Sequence, residues 1–310
     1  MATLATKTVA AINAALELDQ GATYRRLLGE NIMAAGDAYN PRVERFRNHL
    51  GASLLGRDCA REIWYSFRWT TEPHFKGQIL RLFNRGHLEE PRFIALLLMI
   101  GCEVWQVDAN GKQFRMTGGY RGHFGGSSDG VIRGIPDLPN EPVLGEFKTH
   151  NDKSFTKLVD EGVMKAKWEH FVQMQCYMGD FKLRYALYLA VNKNNDEIYG
   201  ELVAYDPQQD ERYKQRAIML VDATEAPARI SNSPGWFKCK FCDHSKVCHD
   251  TALPVVTCRS CNWVKLADGG KWLCTHPEAG QPSTGIALTS KQQETACDAY
   301  QLNPTFKARP

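Results

Sequence analysis

The sequence predicts an α/β fold in which a central sheet is flanked by helices, with a cysteine-rich extension at its C-terminal end. Three observations predict it. Short apolar or alternating stretches that suit strands, VLGEFKT at 143–149 and the paired runs of RYALYLAVNKNNDEIYGELVAYD at 184–206, are separated by segments of helical periodicity. Those segments include HFKGQILRLFNRGHLEEPRFIALLLMIG and KAKWEHFVQMQCYMGDF. Beyond Pro234 the composition shifts, and seven of the ten cysteines fall between Cys239 and Cys297. A chain of 310 residues suits one large domain with an appendage or two unequal ones. Boundaries are expected at 1–48 (N-terminal helical segment), 49–235 (α/β core) and 236–310 (extension).

With 43% hydrophobic and 24% charged residues the chain can bury a sizeable core. A formal charge of +3 is modest, so any affinity for nucleic acid has to come from a local basic groove. RFIALLLMIG is too short to span a membrane, and the N-terminal stretch reads as a helix rather than as a signal peptide. Cysteines spaced C-x2-C, concentrated at one end of a large chain, speak for metal in a reducing compartment rather than for disulfides.

In chain order, residues 1–48 read as helical, with Leu27, Ile32 and Met33 among charged residues and a break at GDAYNP. From His49 to Trp69 a helix is expected after an N-cap near Ser53, carrying Cys59, Arg61, Trp64 and Tyr65. The next helix sets Leu80, Phe83, Leu88, Phe93 and Leu97 on one apolar face. Val104, Trp105 and Val107 begin a meander with a turn at Asn110-Gly111. The glycines from Gly118 to Gly126 lack a P-loop ending, so they read as strand bends and close approach to a site. THNDKSFTKLVDEG, with Lys153 and Lys157, reads as a flexible polar segment, and Cys176 as core. DERYKQRAIMLVDA reads as a closing helix.

The chemistry concentrates in SSDGVIRGIPDLPNEPVLGEFKT. Strand side chains alternate faces, so Glu146 and Lys148 point one way and Phe147 the other. Asp129 and Glu146 are hard oxygen ligands suited to Mg²⁺ or Mn²⁺, and the Phe147 carbonyl can complete the protein's share of the shell. Lys148 is then placed to orient or deprotonate a water attacking a phosphodiester.

This D…ExK spacing resembles the PD-(D/E)XK nuclease superfamily, and the surrounding motifs resemble its RecB-like and lambda-exonuclease-like members. Within RGHLEEPR the resemblance implies that Glu90, with Glu89 as runner-up, completes the metal site, and that His87 is the histidine near the metal or else an exposed helix residue. Gln173 and Tyr177, four apart on one helical face, match the Gln-x-x-x-Tyr motif that follows the catalytic strand and imply a role in positioning the site or the substrate strand. Cys59 followed by C-x2-C-x5-C at Cys239, Cys242 and Cys248 resembles the iron–sulfur subset, the AddB-type and CRISPR-associated RecB-like nucleases, in which four such cysteines hold one [4Fe–4S] cluster. His244 or His249 as fourth ligand of a zinc ion is the other reading. Cys258, Cys261, Cys274 and Cys297 have the outline of a zinc ribbon, with His276 competing with Cys297. Trp263, Lys265, Lys271 and Trp272 suit DNA contact or packing equally well.

The resemblance covers roughly residues 50–250. It implies a restriction-endonuclease-like core with a mixed sheet, and a metal-dependent DNA exonuclease acting on linear or single-stranded ends in the cytoplasm of a bacterial or phage-infected cell. The implied setting is recombination, repair or DNA-end processing, with a recombinase or single-strand annealing partner and a homo-oligomer among the associations to expect. Two other classes stand beside it: a non-catalytic DNA-binding accessory protein of the same fold, and a zinc-dependent transcription factor resting on the C-terminal cysteines alone.

Overall fold

A computed structural model describes residues 2–31, 38, 45–109, 113–116, 119–279 and 284–306. Its chain divides into two units built from interleaved stretches: 1–43, 75–116 and 126–210 in the first, 44–74, 117–125 and 211–310 in the second.

The first unit is a six-stranded mixed sheet. Its strands are β1 (Thr3–Leu4), β2 (Glu103–Trp105), β3 (Gly130–Arg133), β4 (Val143–His150), β5 (Tyr185–Asn192) and β6 (Ile198–Ala204), in the spatial order β1-β6-β5-β4-β3-β2. β4 and β5 are parallel and the other pairs antiparallel, so the sheet is mixed as expected. A parallel pair needs a crossover. Here α3 (Asp152–Glu161) and α4 (Trp168–Phe181) supply it, after α1 (Thr6–Leu18) and the long α2 (Gly77–Met99). The apolar core of this unit gathers Ile12, Phe93, Leu97, Ile132, Phe147, Leu187 and Leu189. Phe147 stacks on Phe93 with ring centroids 5.2 Å apart.

Several expectations are corrected. Among the described residues the N-terminal segment includes the helices α1 and Ala22–Asn31, and it also contributes β1 as an edge strand beside β6. Ile32, Met33, most of the GDAYNP break, the Asn110-Gly111 turn and Gly118 lie outside the described residues. On α2, Phe93 and Leu97 are buried, whereas Leu80 and Phe83 are exposed. Periodicity marks a helix but does not say how much of it the core covers. Val107 forms only an isolated bridge with Gln113. The polar stretch after β4 is ordered as α3, capped by the Asn151 side chain, which accepts from the Ser154 N–H. Cys176 is fully buried and the closing helix runs over Pro207–Asp222.

In the second unit the helix Ala60–Phe67 is capped by Cys59 and not by Ser53, which lies in the 3-10 turn Ala52–Leu54. The C-terminal stretch forms a three-stranded antiparallel sheet, Val264–Ala267, Lys271–Cys274 and Ile286–Leu288, with Gly269 and Gly270 at positive φ in the first turn. Trp272 is fully buried, which assigns it to packing and removes it from DNA contact. Among the described residues no helix is long and apolar enough to cross a membrane.

Because Phe147 faces the core, Phe147→Ala is expected to cost about 3–5 kcal/mol, read from the urea midpoint. A loss below about 1 kcal/mol would place the ring outside the core.

Candidate active site

The site forms on the sheet face opposite Phe147. Glu146, Lys148 and His150 alternate along β4, and pairing in register sets Tyr188 of β5 beside Glu146. Asp129 arrives at the start of β3, where its Oδ2 accepts the Phe147 N–H at 2.7 Å. The Lys148 ammonium sits at the meeting point of three oxygens: Glu146 Oε1 at 2.5 Å, the Phe147 carbonyl at 3.1 Å and Asp129 Oδ2 at 3.8 Å. These oxygens belong to three of the groups that the sequence marks as metal ligands, Glu90 being the other carboxylate expected there. Glu146 is fully buried, and its Oε1 has this ion pair but no well-angled hydrogen bond. The helix α4 closes one side, with Gln173 Nε2 donating to Glu146 Oε2 at 3.4 Å.

Electrostatics follow from that geometry. Burial pushes the Glu146 carboxyl up to about 7, against the pull of Lys148. Burial alone would lower Lys148, but the charges of Glu146 and Asp129 outweigh it and hold the ammonium above its ordinary range. Glu90 adds to that field from α2. It lies 3.9 Å from His87 Nδ1, while Glu89 turns away to pair with Arg92 at 3.2 Å. Glu89 lines a separate open cavity of about 660 Å³ with Arg81, Arg85 and Arg92. Tyr177 is buried, and its hydroxyl packs so closely on Gly126 that a Cβ there would lie 2.2 Å away. It therefore braces the strand that leads to Asp129.

The sequence reading missed His150, His170 and Tyr188. His150 Nε2 and His170 Nδ1 both lie 2.9 Å from the Tyr188 hydroxyl. The signal was present in the spacing: His150 is four residues past Glu146 on a strand, and His170 is three before Gln173 on a helix.

The cysteines gather in the second unit as two sets. Cys59, Cys239, Cys242 and Cys248 line one cavity of about 20 Å³, and His244 and His249 are also in its lining. His244 is engaged by Ser66 at 2.9 Å and Thr71 at 3.0 Å. Cys258, Cys261, Cys274 and Cys297 line another of about 20 Å³, together with His276. Burial, then the neighbouring thiols, pushes Cys258 up to about 12, and burial pushes Cys242 to about 11. Four thiols around so small a space repel once ionised, a conflict that a bound cation resolves. Among the described residues, however, no set of three or more His, Cys, Asp or Glu side chains is gathered tightly enough to hold a metal ion as it stands. The donor chemistry fits a thiophilic metal, and the oxygens around Lys148 Nζ fit a hard cation.

No family model and no curated protein matches the chain. Among solved structures it is similar to an alkaline exonuclease (LHK-Exo) from Laribacter hongkongensis, at 17% identity and a TM-score of 0.42 over 56% of this chain and 86% of that one. The same enzyme in complex with dAMP aligns at 15% identity and a TM-score of 0.41. The structure of SSO0001 aligns at 17% identity and a TM-score of 0.37, over 74% of this chain and 97% of that one.

A carboxyl whose folded pKa is raised binds more protons folded than unfolded, so its contribution to stability is present at low pH and is lost as pH rises through the folded value. In EDTA, the Glu146 contribution is therefore expected to decline between pH 4.5 and about 7. Urea midpoints across that window should fall less steeply in Glu146→Gln than in the unsubstituted protein. Equal slopes would contradict the raised carboxyl.

Proposed function

We propose that this protein is a divalent-metal-dependent DNA nuclease that hydrolyses phosphodiester bonds from DNA ends. The observation that carries this reading is the convergence of Asp129, Glu146 and the Phe147 carbonyl on one cationic centre, currently the Lys148 ammonium. A bound Mg²⁺ or Mn²⁺ would polarise the scissile phosphate and favour deprotonation of the attacking water. Asp129, Glu146 and the Phe147 carbonyl would hold it, with Glu90 or His87 reaching in from α2.

The chain's own groups do the rest. Lys148, held firmly cationic, acts as a donor: it orients the water or neutralises charge on the phosphorane, and it does not serve as the base. Gln173 fixes the Glu146 carboxylate by its hydrogen bond. Tyr177 keeps the strand before Asp129 in place. The cysteine sets serve as structural metal sites in the same reading, Cys59, Cys239, Cys242 and Cys248 for a [4Fe–4S] cluster and Cys258, Cys261, Cys274 and Cys297 or His276 for zinc. Iron, sulfide and zinc analysis of anaerobically purified protein checks that part.

End-labelled linear DNA and closed circular DNA, incubated with Mg²⁺, Mn²⁺ or EDTA, test the activity. Loss of linear DNA is expected in either metal and not in EDTA, with circles spared and Lys148→Ala slower by about 10²–10³-fold. Cutting of circles would make it an endonuclease. DNA bound but uncut in every metal would replace the enzyme with an accessory binding protein.

A further inference from the structure

Beside the acidic site runs a file of polar groups that the hydrolytic reading does not use. It starts at Lys167 and passes through Ser154, His150 and Tyr188 to His170. Two secondary structures place it against the site. His150 shares the β4 face with Glu146 and Lys148, and His170 shares the α4 face with Gln173 and Tyr177. Tyr188, fully buried on β5, joins the two histidines, whose rings stack at 6.1 Å.

Taken from its Lys167 end, one self-consistent run of donors passes along the whole file. Lys167 donates to Ser154 Oγ, and in this run the Ser154 hydroxyl donates to His150 Nδ1 at 3.3 Å. Burial, helped by Lys167, Lys148 and Lys193, pushes His150 down to about 4, so its ring is neutral at pH 7. A neutral imidazole that accepts at Nδ1 carries its proton at Nε2. His150 Nε2–H therefore donates to the Tyr188 oxygen at 2.9 Å, and the Tyr188 O–H donates onward to His170 Nδ1 at 2.9 Å. Burial, then Lys148, His150 and Lys167, pushes His170 down to about 2. That ring too is neutral, and the run then leaves its proton at Nε2, away from the Tyr188 contact, on a half-buried side chain.

We infer that His170 Nε2–H is a substrate-contacting donor that binds a phosphodiester oxygen of the nucleic-acid strand next to the scissile phosphate, with Tyr188 and His150 as positioning residues that fix its tautomer. The inference rests on the nuclease reading for the identity of the strand. A neutral donor suits a phosphate neighbouring the Lys148 and metal charges, because it adds direction without adding a cation to repel them. The file explains why a tyrosine with two histidine partners is buried here: the hydroxyl is the one group able to accept from one ring and donate to the next.

The test is imidazole ¹⁵N NMR on the full-length protein labelled at its histidines, in EDTA so that no strand is cut, with His170→Gln used to assign the signal. The expected result is His170 protonated at Nε2 and bare at Nδ1. A short single-stranded thymidine oligonucleotide should then shift the Nε2 signal saturably. Neither its uncharged methylphosphonate analogue nor inorganic phosphate at the same concentration should do so. Tyr188→Phe should mix the two tautomers of His170, and His170→Gln should weaken oligonucleotide binding roughly tenfold. A proton on Nδ1 of His170 in the unsubstituted protein, or an oligonucleotide shift that is absent or matched by the methylphosphonate, would overturn the inference. Active cleavage with an unshifted His170 would remove this inference alone. Inactivity in every metal together with the shift would remove the nuclease reading and leave the phosphate contact standing.

Discussion

The arrangement depends on one constraint: a carboxylate is held in a fully buried position at the middle of the sheet. Glu146 has no solvent to stabilise its charge, so every neighbour is arranged around that cost. Lys148 answers it with a cation at 2.5 Å, Gln173 with a donor at 3.4 Å, and Asp129 is tied back to the Phe147 N–H instead of crowding it. A lone ammonium satisfies this set only in part, since Glu146 Oε1 still lacks a well-aligned hydrogen bond. Three oxygens, one of them a carbonyl, match the three N–H donors of the ammonium in number, and the same hard-oxygen set is the one the proposed dication would use.

β4 serves two purposes because its period is two. Phe147 locks the strand to Phe93 in the core while Glu146, Lys148 and His150 look the other way. Parallel pairing with β5 then brings Tyr188 beside Glu146. The crossover through α3 and α4, which any parallel pair demands, returns α4 over that same face with His170, Gln173 and Tyr177 in a row. The site is thus a consequence of one parallel pairing and its connection.

Much of this was legible in the sequence where the information is local. Alternation placed Glu146 and Lys148 on one face, and the i,i+4 spacing placed Gln173 and Tyr177 together. What escaped depended on register or on depth. The pairing of His150 and His170 through Tyr188 requires knowing which strand lies beside β4, and no single segment states it. Leu80 and Phe83 have the periodicity of a buried face but lie on the exposed end of α2, because periodicity reports the helix and not its cover. Ser53 is the expected cap region and Cys59 a residue within the helix, yet the helix starts where the Cys59 sulfur accepts the Glu62 N–H. In the cysteine-rich unit Arg259, inside the Cys258/Cys261 pair, is a residue that the local sequence did not single out. It is buried over Trp69 and Trp272 and donates to the carbonyls of Phe67 and Asn48. Such a cation is tolerated because its donors are satisfied and aromatic faces replace water.

The measurement that reaches the central claim most directly is a crystal soaked in Mn²⁺ and measured at the manganese absorption edge. The account predicts an anomalous peak bounded by Asp129, Glu146 and the Phe147 carbonyl, with the Lys148 ammonium displaced from the point it now holds, and no such peak in Asp129→Asn crystals. Soaked crystals with Lys148 still between those oxygens and no manganese there would contradict it.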